Sequence, residues 1–232
     1  MNITDISLLK HLNTHYNGSD AADVLKWTID TFGDKAALST GFGASGIVLM
    51  HQLSLVNPGA EVFYLDTDLL FDETIELIDR LEQRIAVQFK RVSAELSLDE
   101  QEQRYGPSLW ESRPDLCCHI RKVMPLKRHL MHKTAWITAI RRDQAASRKQ
   151  TPMFQYDAAL DVLKVCPLAG WTEQEIWSYI QLNELPYNTL HDQNYPSIGC
   201  RPCTRPVKDG DSLRAGRWSG SNKTECGIHT IT

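Results

Sequence analysis

Hydrophobic positions along this chain follow two alternating rhythms. Segments whose apolar residues recur three and four apart predict helices: "ISLLKHLNTHY", "DAADVLKWTIDTFG", "SGIVLMHQLSLV", "DETIELIDRLEQRI", the basic "VMPLKRHLMHK" and "TEQEIWSYIQLNEL". Shorter apolar or alternating runs between them predict strands: "KAALST", "EVFYLDT", "AVQFKRV", "TAWITAI" and "DVLKVCPLAGW", the last read as a strand followed by a turn. End signals agree. Asp20 stands where a helix would be capped, Gly33 where it would stop, Asn57 and Pro58 end the third helix, and Thr172 with Glu175 has capping-box spacing. Such alternation predicts an α/β fold with a mostly parallel central sheet and helices on both faces. From Pro186 onward Gly, Pro, Asn and charge replace the periodicity, so a loop-rich, partly mobile C-terminal tail is expected.

Bulk properties exclude more than they assign. A chain of 232 residues with 42% hydrophobic and 23% charged residues can bury a substantial core. A net charge of -4 gives no general reason to expect nucleic-acid binding, so any anion site must come from local clustering. The N-terminus lacks the basic and apolar regions of a signal peptide, and the longest apolar stretch is too short to span a membrane. A cytoplasmic protein is expected. In that reducing compartment six cysteines point to metal ligands, catalytic thiols or buried side chains rather than structural disulfides.

Ligands of open parallel sheets bind beyond the carboxyl ends of the strands, and three loops fall there. "STGFGAS" supplies hydroxyls, two glycines and a following helix N-terminus, a combination suited to an anion, though it is neither a Walker A motif nor a dinucleotide fingerprint. "LDTD" offers acceptors, with Asp66 equally able to cap a helix. "AIRRDQAASR" brings Arg141, Arg142 and Arg148.

The cysteines are more specific. Cys117 and Cys118 are adjacent in "DLCCHIRK", and Cys200 and Cys203 form a C-x-x-C pair in "IGCRPCTRP". Two such segments can close a four-thiolate site for zinc or an iron-sulfur cluster. The adjacent pair suits an object larger than one ion, which favours a 4Fe-4S cluster over zinc, with unliganded buried thiols as a third reading. Cys166 has no partner in sequence and reads as a core thiol. Cys226 lies in "KTECGIHT", a short polar stretch with Gly227 after it and His229 beyond, where a thiol is either a nucleophile or a plain surface group.

Taken in order, "LSTGFGASG", "LDTDLLF", "CCHIRKVMPLKRHL", "AIRRDQ", "GCRPCTRPV", "RAGRWSG" and "KTECGIHT" resemble the assimilatory sulfonucleotide reductases, specifically their iron-sulfur adenylyl-sulfate (APS) reductases. The resemblance runs from about residue 20 to His229. It implies a fold like that of the PP-loop adenine nucleotide alpha hydrolases over residues 1–205 and a catalytic tail over 206–232. It implies that Cys226 attacks the sulfur of adenosine 5'-phosphosulfate, that AMP leaves, and that thioredoxin or glutaredoxin then releases sulfite from an S-sulfocysteine. Carried over with it are a 4Fe-4S cluster on Cys117, Cys118, Cys200 and Cys203, and an adenylate pocket lined by Ser39, Thr40, Gly41, Phe42, Gly43, Leu65 and Thr67. Lys122, Arg142, Arg148, Arg214, Arg217 and His229 complete the substrate contacts. A homo-oligomer is in keeping with the family; nucleic-acid and membrane partners are not.

Two positions depart from the family pattern: Gly41 replaces a serine common in relatives, and Asp68 replaces the glycine usual after L-D-T, placing a negative charge near an anion site. The resemblance also leaves neighbouring readings. Reductases dedicated to 3'-phosphoadenylyl sulfate (PAPS) share the loop and tail but lack the four cysteines present here, and dual use needs one or two tolerant basic residues. A cluster-bearing nucleotide sensor without turnover is the non-enzymatic alternative, against which Cys226 stands as a fifth thiol on a positively charged tail. A PP-loop tRNA-modifying enzyme is disfavoured by the acidic balance.

Overall fold

The structure is a computed structural model that describes residues 2–218, 223 and 225–229. Positions 219, 220, 224 and 230, which complete "RAGRWSG" and "KTECGIHT", lie outside the described residues, as do 1, 221, 222, 231 and 232. The centre is a six-stranded sheet of β1 Ala36–Thr40, β2 Glu61–Asp66, β3 Gln88–Ser93, β4 Ala135–Thr138, β5 Phe154–Asp157 and β6 Val162–Val165, in the order β3-β2-β1-β4-β6-β5. Every neighbouring pair is parallel except β5 with β6, which is antiparallel. The strand order reverses between β1 and β4, so the crevice beyond their carboxyl ends is the expected ligand position of such a sheet.

Alternation along the central strands sorts the core into two layers. Ala36, Leu38, Val62, Ala135 and Ile137 face one layer, completed by α1 Ile6–His15, α2 Ala21–Phe32, α3 Ala44–Val56, α4 Asp72–Arg84 and α9 Glu173–Leu182. Helix α3 lies deepest, with Ile47, Val48, Leu49 and Met50 fully buried, as its near-uniform apolar sequence demands. Ala37, Phe63 and Trp136 face the opposite layer, where Leu126 and Leu130 of α8 Met124–Leu130 meet them and the tail residue Ile228 packs alongside. That second layer is thinner, and the tail is part of its cover.

The predicted helices and strands are present, and the mostly parallel sheet is as expected. Thr172 and Glu175 form the capping box, and Gly33 ends α2 with φ of 52°. Asp20 holds the N-cap position of α2 without a side-chain hydrogen bond. Asp66 does not cap a helix: its carboxylate accepts from the Asp68 amide at 2.9 Å and pairs with Arg91 at 2.7 Å. The pattern did not predict β5, α5 Leu98–Tyr105, α6 Leu109–Ser112 or α7 Pro114–Cys118. From α7 the chain passes through a π-helical turn, His119–Val123, into α8. Pro125 lacks an N–H to give to the Arg121 carbonyl, and a widened turn before it accommodates that loss. Beyond α9 the described residues contain two 3-10 turns, Thr189–Gln193 and Arg201–Cys203, and an isolated bridge between Thr204 and Arg217. Among the described residues no helix is long and apolar enough to cross a membrane.

Trp136 supports both the second layer and the tail, so Trp136→Ala should cost about 3–5 kcal/mol in urea unfolding. Met131→Ala, at a side chain 68% exposed, should stay within about 0.5 kcal/mol. Equal effects would show that the second layer carries little of the stability.

Candidate active site

The crevice holds a cavity of about 310 Å³, lined by the loop after β1, the ends of β2 and β4, the π-helical turn, the segment around Cys200 and the tail. The loop after β1 turns because Thr40 Oγ1 accepts the Phe42 amide at 3.0 Å while Phe42 takes a φ of 58°. This aims Gly43 and the N-terminal turn of α3 at the cavity, with Gly46 close against Thr40: a Cβ there would lie 2.7 Å from Thr40 Oγ1. Ser39 Oγ accepts from Trp136 Nε1 at 2.7 Å.

Most residues named from the sequence meet here. Ser39, Thr40, Gly41, Gly43, Leu65, Thr67, Lys122, Arg148, Arg214, Arg217, Cys226 and His229 all line the cavity. Phe42 and Arg142 are not among its lining residues. Phe42 is buried in the first core layer, edge-on to Tyr64 and stacked on Phe89, because the turn that opens the loop sends its ring inward. Arg142 is exposed and donates to the Thr151 carbonyl at 2.9 Å. Its neighbour Arg141 takes the inner position: it is extended, with φ of -124°, and its guanidinium donates to Ser45 Oγ at 2.6 Å and Asp143 at 2.9 Å. Arg141 is extended beyond β4 and Arg142 opens the 3-10 turn Arg142–Gln144, so the two side chains diverge there.

Positive charge converges on this space. Arg217 is held by the Thr204 bridge, by its stacking over Trp218 at 4.4 Å and by contacts to Ser197 and the Ile198 carbonyl. A Cβ on Gly199 would lie 2.2 Å from Arg217 Nη2, so glycine is what lets that guanidinium approach. Arg217 Nε and His229 Nδ1 are buried without a hydrogen-bond partner, and such groups call for a polar ligand. Lys122 is half-buried, which alone would lower its pKa, yet the cysteines Cys200, Cys226 and Cys118 around it raise it, so it stays charged.

The tail lies against the second layer. His229 stacks on Trp136 with ring centroids 5.3 Å apart and 11° between planes, and Lys164 Nζ sits 5.1 Å from the centre of the same indole. Burial, reinforced by Lys164, Arg148 and Arg214, holds the His229 imidazole well below 6.5, so it is neutral at neutral pH. Cys226 is half-buried, between Glu225 and Gly227, whose φ is 82°.

Beside this cavity lies a second, smaller one bounded by Cys117, Cys118, Cys200 and Cys203 with Arg121 and Lys122. The two segments are tied to the β2 loop: the Arg201 amide donates to the Leu69 carbonyl at 2.8 Å, and Thr67 Oγ1 lies 3.3 Å from Cys200 Sγ. Burial and the neighbouring thiols Cys118, Cys200 and Cys203 push Cys117 up to about 12, so positive charge inside this space would be needed for all four to ionise. Cys200 is lowered instead: burial raises it, but Lys122, Thr67 and Arg217 together outweigh that. Among the described residues no three His, Cys, Asp or Glu side chains gather as for a single metal ion. Cys166 lies apart, buried against Ile140 and Ala169, with its thiol pushed up to about 11 by that burial.

The Asp68 substitution does not place a free charge at the anion site. Asp68 accepts from Arg121 at 2.8 Å, and that guanidinium, 1% exposed, also donates to Gln101 and to the Thr67 and Leu96 carbonyls. Glu225, which carried no assignment from the sequence, accepts from both Arg148 and Arg214. The acidic residue in the tail motif was visible; of its partners, Arg214 lies 11 residues away and Arg148 lies 77 away.

Residues 35–206 match the phosphoadenosine phosphosulfate reductase domain family. The chain is 48% identical to an adenosine 5'-phosphosulfate reductase of Halalkalibacterium halodurans, over 95% of this chain and 96% of that protein. It is 50% identical to one of Salinibacter ruber, over 96% and 88%. Its structure resembles the crystal structure of a phosphoadenylyl-sulfate reductase from Candida auris in a phosphate complex, with a TM-score of 0.75, 28% identity, and coverage of 88% of this chain and 98% of that one.

The state of the tail imidazole can be read directly. In nitrogen-15 histidine NMR, one ring, absent from a His229→Gln protein, should remain neutral at pH 6.5, where an ordinary histidine is half protonated. Burial disfavours the charged form, so protonation should come only as pH falls well below that value. A His229 ring titrating near 6.5 would contradict the docked arrangement.

Proposed function

The chain belongs to the phosphoadenosine phosphosulfate reductase domain family, and from that premise we propose that it reduces adenosine 5'-phosphosulfate to sulfite and AMP, with Cys226 as nucleophile. The observation that carries the proposal is the placement of the half-buried Cys226 thiol in the same cavity as Lys122, Arg148, Arg214 and Arg217, opposite the glycine loop and the start of α3. A thiolate among cations is the arrangement that a doubly anionic, sulfur-centred electrophile requires.

In the proposed reaction the Cys226 thiolate attacks the sulfate sulfur. An S–S bond forms, the bond from sulfur to the bridging oxygen breaks, and AMP leaves with that electron pair. Lys122 and Arg217 neutralise the charge that builds on the phosphosulfate, with the unpartnered Arg217 Nε available to it. The adenylate lies along Ser39, Thr40, Gly41 and Gly43, beside Leu65. Neutral His229 stacks on Trp136 at the cavity wall and has an unpartnered Nδ1. A thiol of an external dithiol then attacks Cys226 Sγ, expelling sulfite with the electron pair of the broken S–S bond. The second thiol resolves the mixed disulfide and returns Cys226. Sulfur goes from the +6 to the +4 state while the dithiol becomes a disulfide. Thioredoxin or glutaredoxin supplies the dithiol, so the tail undocks between the two steps. Free thiols and this donor suit a cytoplasmic setting.

Cys117, Cys118, Cys200 and Cys203 would hold a 4Fe-4S cluster. When bound, the cluster supplies structural cross-linking and a local electrostatic field; the thiol chemistry itself needs no electron from it. Lys122 lines both the cavity that holds Cys226 and the smaller space among these cysteines.

Anaerobically purified protein with thioredoxin should release sulfite from APS in strong preference to its 3'-phosphorylated form. Cys226→Ser should abolish release, by at least about 10³-fold, while nucleotide binding persists. Full turnover by the serine variant would overturn the assignment of the nucleophile. Comparable turnover of the phosphorylated substrate would make the enzyme dual in specificity, and no sulfite from either would favour a nucleotide sensor.

A further inference from the structure

We propose that Glu225 is a positioning residue for the attack step: clamped by Arg148 and Arg214, its carboxylate holds the adjacent Cys226 thiol over the cavity. The inference rests on the proposed role of Cys226 and assigns a function to the residue before it.

The clamp is built from three parts of the chain. Arg148, from the loop after β4, donates Nε to Glu225 Oε1 at 3.1 Å and Nη2 to Oε2 at 2.9 Å. Arg214, at the start of the tail, donates Nη2 to Oε2 at 3.0 Å. Arg148 is itself braced, since its Nη1 donates to Gln144 Oε1 at 2.6 Å. With both oxygens engaged, the carboxylate is fixed in direction as well as position, which a one-point contact would not achieve. The Glu225 side chain is 9% exposed and those of Arg148 and Arg214 are 13% and 19%, so the pairing is screened from solvent far more than a surface ion pair.

Cys226 is thereby held from both sides. Glu225 anchors the residue before it through charge, and Ile228 and His229 anchor the residues after Gly227 by packing on the second core layer. Gly227, at φ of 82°, makes the bend between the two anchors. An anchor of this kind must favour attack on a substrate inside the cavity. It must not favour the second step, in which the same sulfur meets a protein dithiol outside.

The test separates the two steps in the whole, anaerobically purified chain. Mixing with saturating APS and no dithiol measures formation of the Cys226 S-sulfo adduct by mass spectrometry in single-turnover quench. Adding thioredoxin to the preformed adduct measures sulfite release. Glu225→Gln, which keeps the shape and removes the charge, should slow adduct formation about tenfold to a hundredfold. Release should be unchanged or faster, and Glu225→Asp should recover part of the loss. Retained release also shows that the variant's tail is intact. Wild-type rates of adduct formation in Glu225→Gln, or equal slowing of both steps, would overturn the positioning role. If the wild-type protein formed no Cys226 adduct, the proposed nucleophile would fall and this inference with it; a wild-type adduct formed equally well by the variant removes this inference alone.

Discussion

Five cationic side chains, Lys122, Arg141, Arg148, Arg214 and Arg217, line one cavity, and their mutual repulsion is the constraint on which the rest of the site depends. Like charges gathered in a space of low dielectric are costly unless each is met by an opposite charge or by acceptors. The protein meets them separately: Arg141 with Asp143 and Ser45, Arg148 and Arg214 with Glu225, Lys122 among thiols, and Arg217 with carbonyl, hydroxyl and indole. Three of these solutions involve the tail. A docked tail is therefore part of the electrostatic balance of the cavity as well as the carrier of the proposed nucleophile.

The sheet makes that concentration feasible. Reversal of strand order between β1 and β4 opens a crevice where the loop after β1 and the loop bearing Arg141 and Arg148 face each other, without a helix crossing between them. Asymmetric cover does the rest. Five helices surround the first core layer, while the second leaves Trp136 to be met by α8, Ile228 and His229. Among the described residues the tail is held by the stacked His229 ring, by Ile228, by the Glu225 clamp and by the Lys223–Asp115 pair, a lighter hold than that on an element buried in the main core.

The fold was legible where burial imposes a period. β4 is buried at every position, β1 at four of its five and α3 over most of its length, so they read as largely apolar runs. Short β5, "FQYD" at the sheet edge, offers two buried positions out of four and no alternation to distinguish it from a loop. In α5, "LDEQEQRY", Gln101 is the buried residue, so an apolar search finds no helix. The site was legible through motifs that identify residues but not the directions of their side chains. Arg141 therefore lines the cavity while Arg142 faces solvent, and the Thr40 turn sends the Phe42 ring into the core. The Glu225 clamp joins positions 77 residues apart through charge alone, and no local pattern encodes such a distance.

Asp68 shows how a departure from a family pattern can be read once its neighbours are known. The position has φ of 55°, a left-handed conformation that explains why glycine is usual there and why an aspartate is among the less strained replacements. Its carboxylate turns away from the cation cluster to Arg121, which is buried and otherwise satisfied by neutral acceptors. Arg121 shares the π-helical turn with Lys122, two residues beyond the cysteine pair. A glycine here would leave that buried guanidinium without its carboxylate on the β2 side. Asp68 instead supplies a charged tie between the β2 loop and the turn that carries Lys122. Its negative charge is paired with Arg121 and lies near Arg91, and Asp68 is not among the residues that line the cavity.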